Sequence, residues 1–218
     1  MSDVLIKVRP LQASHAYDLI TRYLGALWFL VLADFMALGA YNEPRTLAAV
    51  GKSCLVIFYL MLWLLMVTRP LAKSQIQGFL PRLAAFVGTY MPWTIGFFPR
   101  SDSTLLILLS AICLISGMVL AIISVSFLGR AFSLIPQARK IVQSGPYYWL
   151  RHPLYTAEEL AIFGTLLQFL SPVTVAIFMV HIAMQICRIT YEERLLRQTF
   201  PAYDMYAATT WRLVPYVW

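Results

Sequence analysis

From Thr104 to Leu128 the chain carries no charged side chain. Wound as a helix, a segment of that length spans a hydrocarbon core roughly 30 Å thick. Apolar runs near 22–41 and 51–69 are also long enough to cross. A run near 83–99 is shorter and interrupted by Pro92, which predicts a kink or a tilt. Runs at about 156–170 and 172–187 are separated by Ser171-Pro172, the mark of a tight helical hairpin. The first arm of that hairpin is short for a full crossing, so it could turn inside the opposite interface. Backbone polar groups in lipid must be satisfied within their own segment, so the expected fold is an all-α polytopic bundle of about five to six spans. Only 12% of residues are charged and 60% are hydrophobic, whereas a soluble domain is about a quarter charged.

The formal charge of +7 would suggest nucleic acid in a soluble protein. Here orientation accounts for it. With both termini in the cytoplasm, only Arg45, Lys52 and Arg100 of the 17 Lys and Arg residues fall outside, a strong positive-inside bias. No nucleic-acid partner is expected. Residues 1–20 hold Asp3, Lys7, Arg9, His15 and Asp18 and lack an apolar core, so no cleavable signal peptide is expected. Cys54, Cys113 and Cys187 lie far apart in apolar runs without metal-ligand spacing and read as buried small hydrophobes. The expectation is one integrated domain, with spans over 1–128 and a chemistry-bearing region over 129–218. A multi-pass protein of this compact size fits a bacterial inner membrane, or the endoplasmic reticulum in a eukaryote.

Chemistry-bearing residues gather in two places. Gly145 to Tyr155 packs Arg151-His152-Pro153 and four aromatics between apolar runs, and Arg188 to Glu193 follows the last of them. Ionisable groups at span ends are costly and tend to mark function. The orientation above puts both clusters on the cytoplasmic side, where they could share one site.

These clusters resemble the isoprenylcysteine carboxyl methyltransferases and their relatives, the phospholipid methyltransferases. The resemblance runs in order over about 129–218: Gly145-Pro146-Tyr147, Arg151-His152-Pro153-Leu154-Tyr155, the Ser171-Pro172 turn, Arg188, Glu192-Glu193, then Phe200-Pro201-Ala202-Tyr203 with Tyr206 and Leu213-Val214-Pro215. It implies a multi-span enzyme taking S-adenosylmethionine from the cytosol and a lipophilic acceptor from the bilayer. Two departures concern the acceptor more than the cofactor: Pro201 stands in place of the family glycine, and Glu158-Glu159 stand where eukaryotic members carry apolar or small residues.

A site for a sulfonium methyl donor needs an aromatic or apolar slot for adenine, groups for the zwitterionic tail, and an acceptor held in line with the methyl. An ionised carboxylate acceptor would need no general base. By resemblance, His152 and Tyr155 contact the cofactor, with Tyr147 next; His152 could instead cap the hairpin. Tyr148 and Trp149 read as interface belt residues. Arg151 could clamp a carboxylate or snorkel to headgroups. Arg188 and Glu193 resemble the pair at the reactive end, Arg188 holding the acceptor and Glu193 fixing Arg188 or the cofactor. Five residues apart on a regular helix they point about 140° away from each other, whereas Arg188 and Glu192 are neighbours. Glu192, Gln137, Lys140 and Gly145 complete the expected cofactor set, Gln137, Arg139 and Lys140 being equally readable as a solvated basic loop. One of Glu158 and Glu159 suits the first helical turn; the other could face the site and steer a cationic acceptor. Asp34, inside the first span, reads as paired with a neighbouring helix or facing a wet cleft. His181 reads as a packed histidine. No metal cluster and no dinucleotide-type glycine loop is present. The rivals are a sterol-reductase-type membrane enzyme using NADPH, which shares the Arg-His-Pro-x-Tyr turn, and a non-catalytic membrane module.

Overall fold

The computed structural model describes residues 8–10, 15–42, 44, 46–76 and 78–218. Asp3, Lys7 and Arg45 lie outside the described residues, and of Arg9 and His15 only the backbone is described. Among the described residues seven α-helices run in the order α1 (His15–Tyr41), α2 (Thr46–Thr68), α3 (Phe79–Tyr90), α4 (Thr104–Leu128), α5 (Pro153–Gln168), α6 (Pro172–Thr199) and α7 (Tyr203–Thr209). Among the described residues four segments are long and apolar enough to cross a membrane: Asp18–Tyr41, Ala49–Thr68, Thr104–Ala131 and Pro172–Thr199. The all-α membrane bundle expected from the sequence is therefore the fold, with four such segments among the described residues rather than five to six, because α3 (12 residues) and α5 (16 residues) are short for a crossing. The interrupted run resolves into α3 followed by a 3₁₀ turn, Met91–Phe97, with Pro92 at its start, because proline has no N–H to continue the α-helical ladder.

The hairpin forms as its sequence dictates. Ser171 and Thr174 cap each other's backbone in a reciprocal box with Pro172 in the first turn, and the Thr174 hydroxyl also donates to the Phe169 carbonyl (2.8 Å). The second arm overruns the expected end near 187 and continues to Thr199. Arg188, Glu192 and Glu193 thus sit in the body of α6, not beyond it.

Helices α4 and α5 touch backbone to backbone. A Cβ at Gly117 would stand 2.7 Å from the Ala161 nitrogen, and one at Gly164 would stand 2.9 Å from the Leu114 nitrogen. Small residues at a membrane helix interface allow this approach. We expect Gly117→Leu to lower stability by about 1–3 kcal/mol, read as a lowered thermal midpoint in detergent; an unchanged midpoint would mean that the α4–α5 seam can open without cost. Around this seam Phe29 and Leu32 of α1, Phe58, Leu62 and Met66 of α2, Met118 and Val125 of α4, and Leu154 of α5 form one buried cluster.

At one end of the bundle lies an element with no forecast in the sequence: a three-stranded antiparallel sheet of β1 (Val8–Pro10), β2 (Ser74–Ile76) and β3 (Gln137–Ala138), in the order β1-β2-β3. Arg9 pairs with Gln75, which pairs with Gln137. Beside it Asp18, 1% exposed, lies 3.5 Å from Arg22, 3.5 Å from Arg69 and 3.7 Å from Arg139. This cluster ties the start of α1 to the segments after α2 and α4. The Arg139 guanidinium is held down to about 10 by burial first and then by Arg69. It also donates to the Pro70 carbonyl (3.0 Å) and the Gln137 side chain (2.8 Å), so Arg139 is structural and not part of a solvated loop.

Two further expectations change. Asp34 is exposed on the outward face of α1 with no ion pair among the described residues, rather than paired with a neighbouring helix. Cys187 is exposed, while Cys54 and Cys113 are half-buried; none is the buried small hydrophobe expected.

Candidate functional site

A cavity of about 650 Å³ runs through the bundle, within the range of ligand pockets. Its charged end is lined by Gln137, Tyr147, Arg151, His152, Tyr155, Glu158, Arg188 and Glu192. Its apolar length is walled by Phe29, Leu32, Leu55, Phe58, Leu62, Leu114, Ile115, Met118 and Ile162, and its far end by Lys52, Arg100 and Gln168. Tyr155 and Gln168 are on the same helix, so the lining extends for about 20 Å along α5.

The Arg151-His152-Pro153 turn is fixed by a distant piece of chain. The Arg151 N–H donates to the Trp211 carbonyl (2.7 Å) and the His152 N–H to that of Arg212 (3.1 Å). Pro153 then opens α5 where its missing N–H costs nothing. The His152 side chain makes no helix cap. Its ring lies flat on Tyr155, centroids 5.4 Å apart and 8° between planes. Upstream, Gly145 takes φ 59° in the 3₁₀ turn Gly145–Tyr148 and would drive a Cβ to 2.5 Å from the Phe127 ring, so glycine is required there. That turn buries Tyr147, whose carbonyl accepts from the Tyr206 hydroxyl (2.7 Å).

Tyr155 joins the two charged residues of α6. Its hydroxyl donates to Glu192 Oε2 (2.7 Å), and the Arg188 guanidinium sits 4.8 Å from its ring centroid. Arg188, 5% exposed, also donates to the Leu134 carbonyl (3.0 Å) and to the Thr89 hydroxyl (3.4 Å). The simple Arg188–Glu192 surface pair is thus replaced by a buried Arg188–Tyr155–Glu192 stack.

Glu193 points away from the cavity, as the 140° separation requires. It is 1% exposed. Its oxygens lie 3.2 Å from Arg151, 3.4 Å from His152 Nε2, 3.3 Å from Arg197 and 3.2 Å from Arg212. It anchors the Arg-His-Pro turn from behind.

Of the residues singled out in the sequence, the structure brings Gln137, Tyr147, His152, Tyr155, Arg188 and Glu192 to the cavity wall and leaves Lys140, Gly145 and Glu193 off it. Lys140 is exposed. Gln137 is engaged by Ser133 (2.9 Å) and Arg139 (2.8 Å). Tyr148 and Trp149 are 68% and 61% exposed, as belt residues should be. Arg151 neither snorkels nor stands free. Because α5 begins at Pro153, Glu158 and Glu159 lie in its second turn, beyond the first turn where the helix dipole would favour them. Glu158 faces the cavity, while Glu159 meets the fully buried His181 at 2.8 Å. Sequence reading missed Arg212, whose place just before the Leu213-Val214-Pro215 motif was the available signal, and Arg197, whose place one turn after Glu193 was.

Burial, then Glu192, raise the Tyr147 hydroxyl well above the usual tyrosine range, so it stays protonated and can only reach a ligand as a donor or neutral acceptor. The cavity therefore offers flat aromatic faces at the charged end of an apolar slot, with two carboxylates beside two guanidiniums, of which that of Arg151 is paired with Glu193 behind the wall.

Residues 103–202 match the phospholipid methyltransferase family. The phospholipid methyltransferase match runs from the N-terminus of α4 to the end of α6 and includes His152, Tyr155, Glu158, Arg188, Glu192 and Glu193. It bears out the family resemblance carried by the Arg151-His152-Pro153 and Glu192-Glu193 motifs, and it supports a membrane methyltransferase of the phospholipid or isoprenylcysteine type. No curated protein matches the chain.

Proposed function

We propose that the chain is an integral membrane methyltransferase that moves a methyl group from S-adenosylmethionine to a lipophilic acceptor reaching the cavity laterally between helices. The carrying observation is the junction of the His152–Tyr155 stack with Arg188 and Glu192 at the charged end of the apolar slot. The residues present fit such a cofactor. The Tyr147 hydroxyl and Arg151 Nε are buried without hydrogen-bond partners, and the aromatic faces and the Glu192 carboxylate suit a group that is flat at one end and cationic at the sulfur.

In this reading His152, Tyr155, Tyr147 and the segment around Gln137 hold the cofactor, and Glu192 faces its positive charge. Bound there, S-adenosylmethionine would supply an electrophilic methyl group. Arg188 orients the acceptor, whose apolar part lies along Phe58, Leu62, Met118 and Ile162. Glu193 keeps Arg151 and His152 in place. The charged end faces the cytosol, the source of the cofactor. Closing the reacting groups away from water strengthens each charge–charge term and excludes hydrolysis.

The test is calorimetric titration of detergent-purified protein with S-adenosylhomocysteine, beside NADPH, for wild type and His152→Ala. We expect binding of the first ligand alone, weakened at least about 10-fold by loss of the stacked ring. NADPH binding instead would replace this reading with a reductase, and binding of neither would favour a non-catalytic module.

A further inference from the structure

The reaction assigned above leaves one cavity carboxylate without a task. Glu158 stands three residues after Tyr155 on α5, the spacing that puts two side chains on one helix face, and it lines the cavity with Tyr147, Arg188 and Glu192. It shares that lining with Tyr59 of α2, Tyr147 of the 3₁₀ turn, Tyr155 of its own helix and Arg188 of α6. It is itself within electrostatic reach of Glu159 and His181. Its neighbour Glu159 is taken up by His181, whereas Glu158 is turned to the space a ligand would fill. The buried Gln185 amide lies beside Glu158.

A carboxylate held at membrane depth is costly unless it is used. Arg151 is spent on Glu193 behind the wall (3.2 Å), so Glu158 and Glu192 face the one guanidinium left to the chamber, that of Arg188, an arrangement that opposes an anionic reacting group and favours a cationic one. Resting on the methyl-transfer reading, we propose that Glu158 takes a proton from the acceptor, so that the methylated atom reaches the chamber carrying that proton. For an ammonium nitrogen the step balances as follows. The N–H proton passes to a Glu158 carboxylate oxygen, and the freed lone pair forms the N–C bond. The methyl's bond to sulfur breaks, its electron pair staying on sulfur. The proton leaves Glu158 for water at the charged end of the cavity. Arg188, Glu192, Tyr147 and Tyr155 position the reactants without taking the proton.

The experiment uses the full chain in lipid nanodiscs and compares wild type with Glu158→Gln and Glu158→Asp. Three readouts are taken: binding of S-adenosylhomocysteine, binding of dodecylammonium beside neutral dodecanol, and methyl transfer to phosphatidylethanolamine beside N-acetyl-S-farnesylcysteine. Both variants should bind S-adenosylhomocysteine as wild type does. Glu158→Gln should weaken dodecylammonium about 10-fold and leave dodecanol unchanged. It should slow transfer to the amine about 100-fold near neutral pH, with recovery at alkaline pH, where the free amine brings its own lone pair. Glu158→Asp keeps the charge and should recover part of both effects. Unchanged ammonium binding and an unchanged pH profile in Glu158→Gln would overturn the proposal, as would transfer to the farnesylcysteine carboxylate alone. Failure of the wild type to bind S-adenosylhomocysteine would instead remove the methyl-transfer reading and the proposal with it.

Discussion

Glu193→Gln is expected to loosen the whole charged end of the bundle. The carboxylate is 1% exposed and holds Arg151 and His152, themselves largely buried, together with the more exposed Arg197 and Arg212. Removing one member of a buried ion pair leaves the other charge uncompensated, at about 3–5 kcal/mol. The Arg197 contact adds little, because that side chain is 38% exposed and screened. The consequence travels through the backbone. Arg151 and His152 are the residues whose N–H groups pair with Trp211 and Arg212, so losing their anchor frees the turn that carries His152 onto Tyr155. The variant should therefore show a lowered thermal midpoint in nanodiscs together with weakened S-adenosylhomocysteine binding. Arg197→Ala is the control, expected within about 0.5 kcal/mol of wild type. A Glu193→Gln protein with normal stability and normal binding would show that the turn is held by its backbone pairing alone.

The helices were legible because hydropathy is a local property. An uncharged run from Thr104 to Leu128 can be read without knowing what it packs against, and α4 has those very limits. The hairpin was equally legible from Ser171-Pro172. The end of α6 was not, because its last three turns are amphipathic and charged, and they stay helical by packing Ile189 and Leu195, both buried, against the rest of the fold. The sheet was beyond reach for another reason. Its strands are two or three residues long and come from three distant segments, so no window of sequence carries their period.

The site divides in the same way. His152, Tyr155, Arg188 and Glu192 were found because each belongs to a compact motif, and helical spacing alone showed that Arg188 and Glu193 must diverge. Their sorting into cavity wall and anchor needed the tertiary structure. Arg212 reaches Glu193 only because the chain after α7 returns beside Trp149 and Arg151; the adjacent motif marks the residue but not this contact. Glu158 and Glu159 are adjacent and identical in sequence. One faces a cavity and the other a buried histidine, a distinction set by about 100° of helix rotation.

Arg188→Lys should separate binding from chemistry. The substitution keeps the positive charge opposite Glu192 and Glu158, so the bundle should still fold, with the thermal midpoint lowered only by the loss of two hydrogen bonds, about 1–3 kcal/mol. It removes the planar fork that reaches the Leu134 carbonyl and the Thr89 hydroxyl at once while lying against Tyr155. An ammonium is a compact point charge on a flexible stem and cannot reproduce that geometry. If Arg188 orients the acceptor, methyl transfer should fall about 100-fold. S-adenosylhomocysteine binding should then stay near wild type, since the His152–Tyr155 stack is untouched. Equal loss of cofactor binding would place Arg188 in the cofactor pocket instead, and full activity would show that its charge alone suffices. The first result is favoured by the bonds themselves. Both ends of the guanidinium are tied to α3 and to the segment after α4, so its position is set by three separate parts of the fold, and a group fixed in that way can hold a mobile lipid in line with a methyl it does not touch.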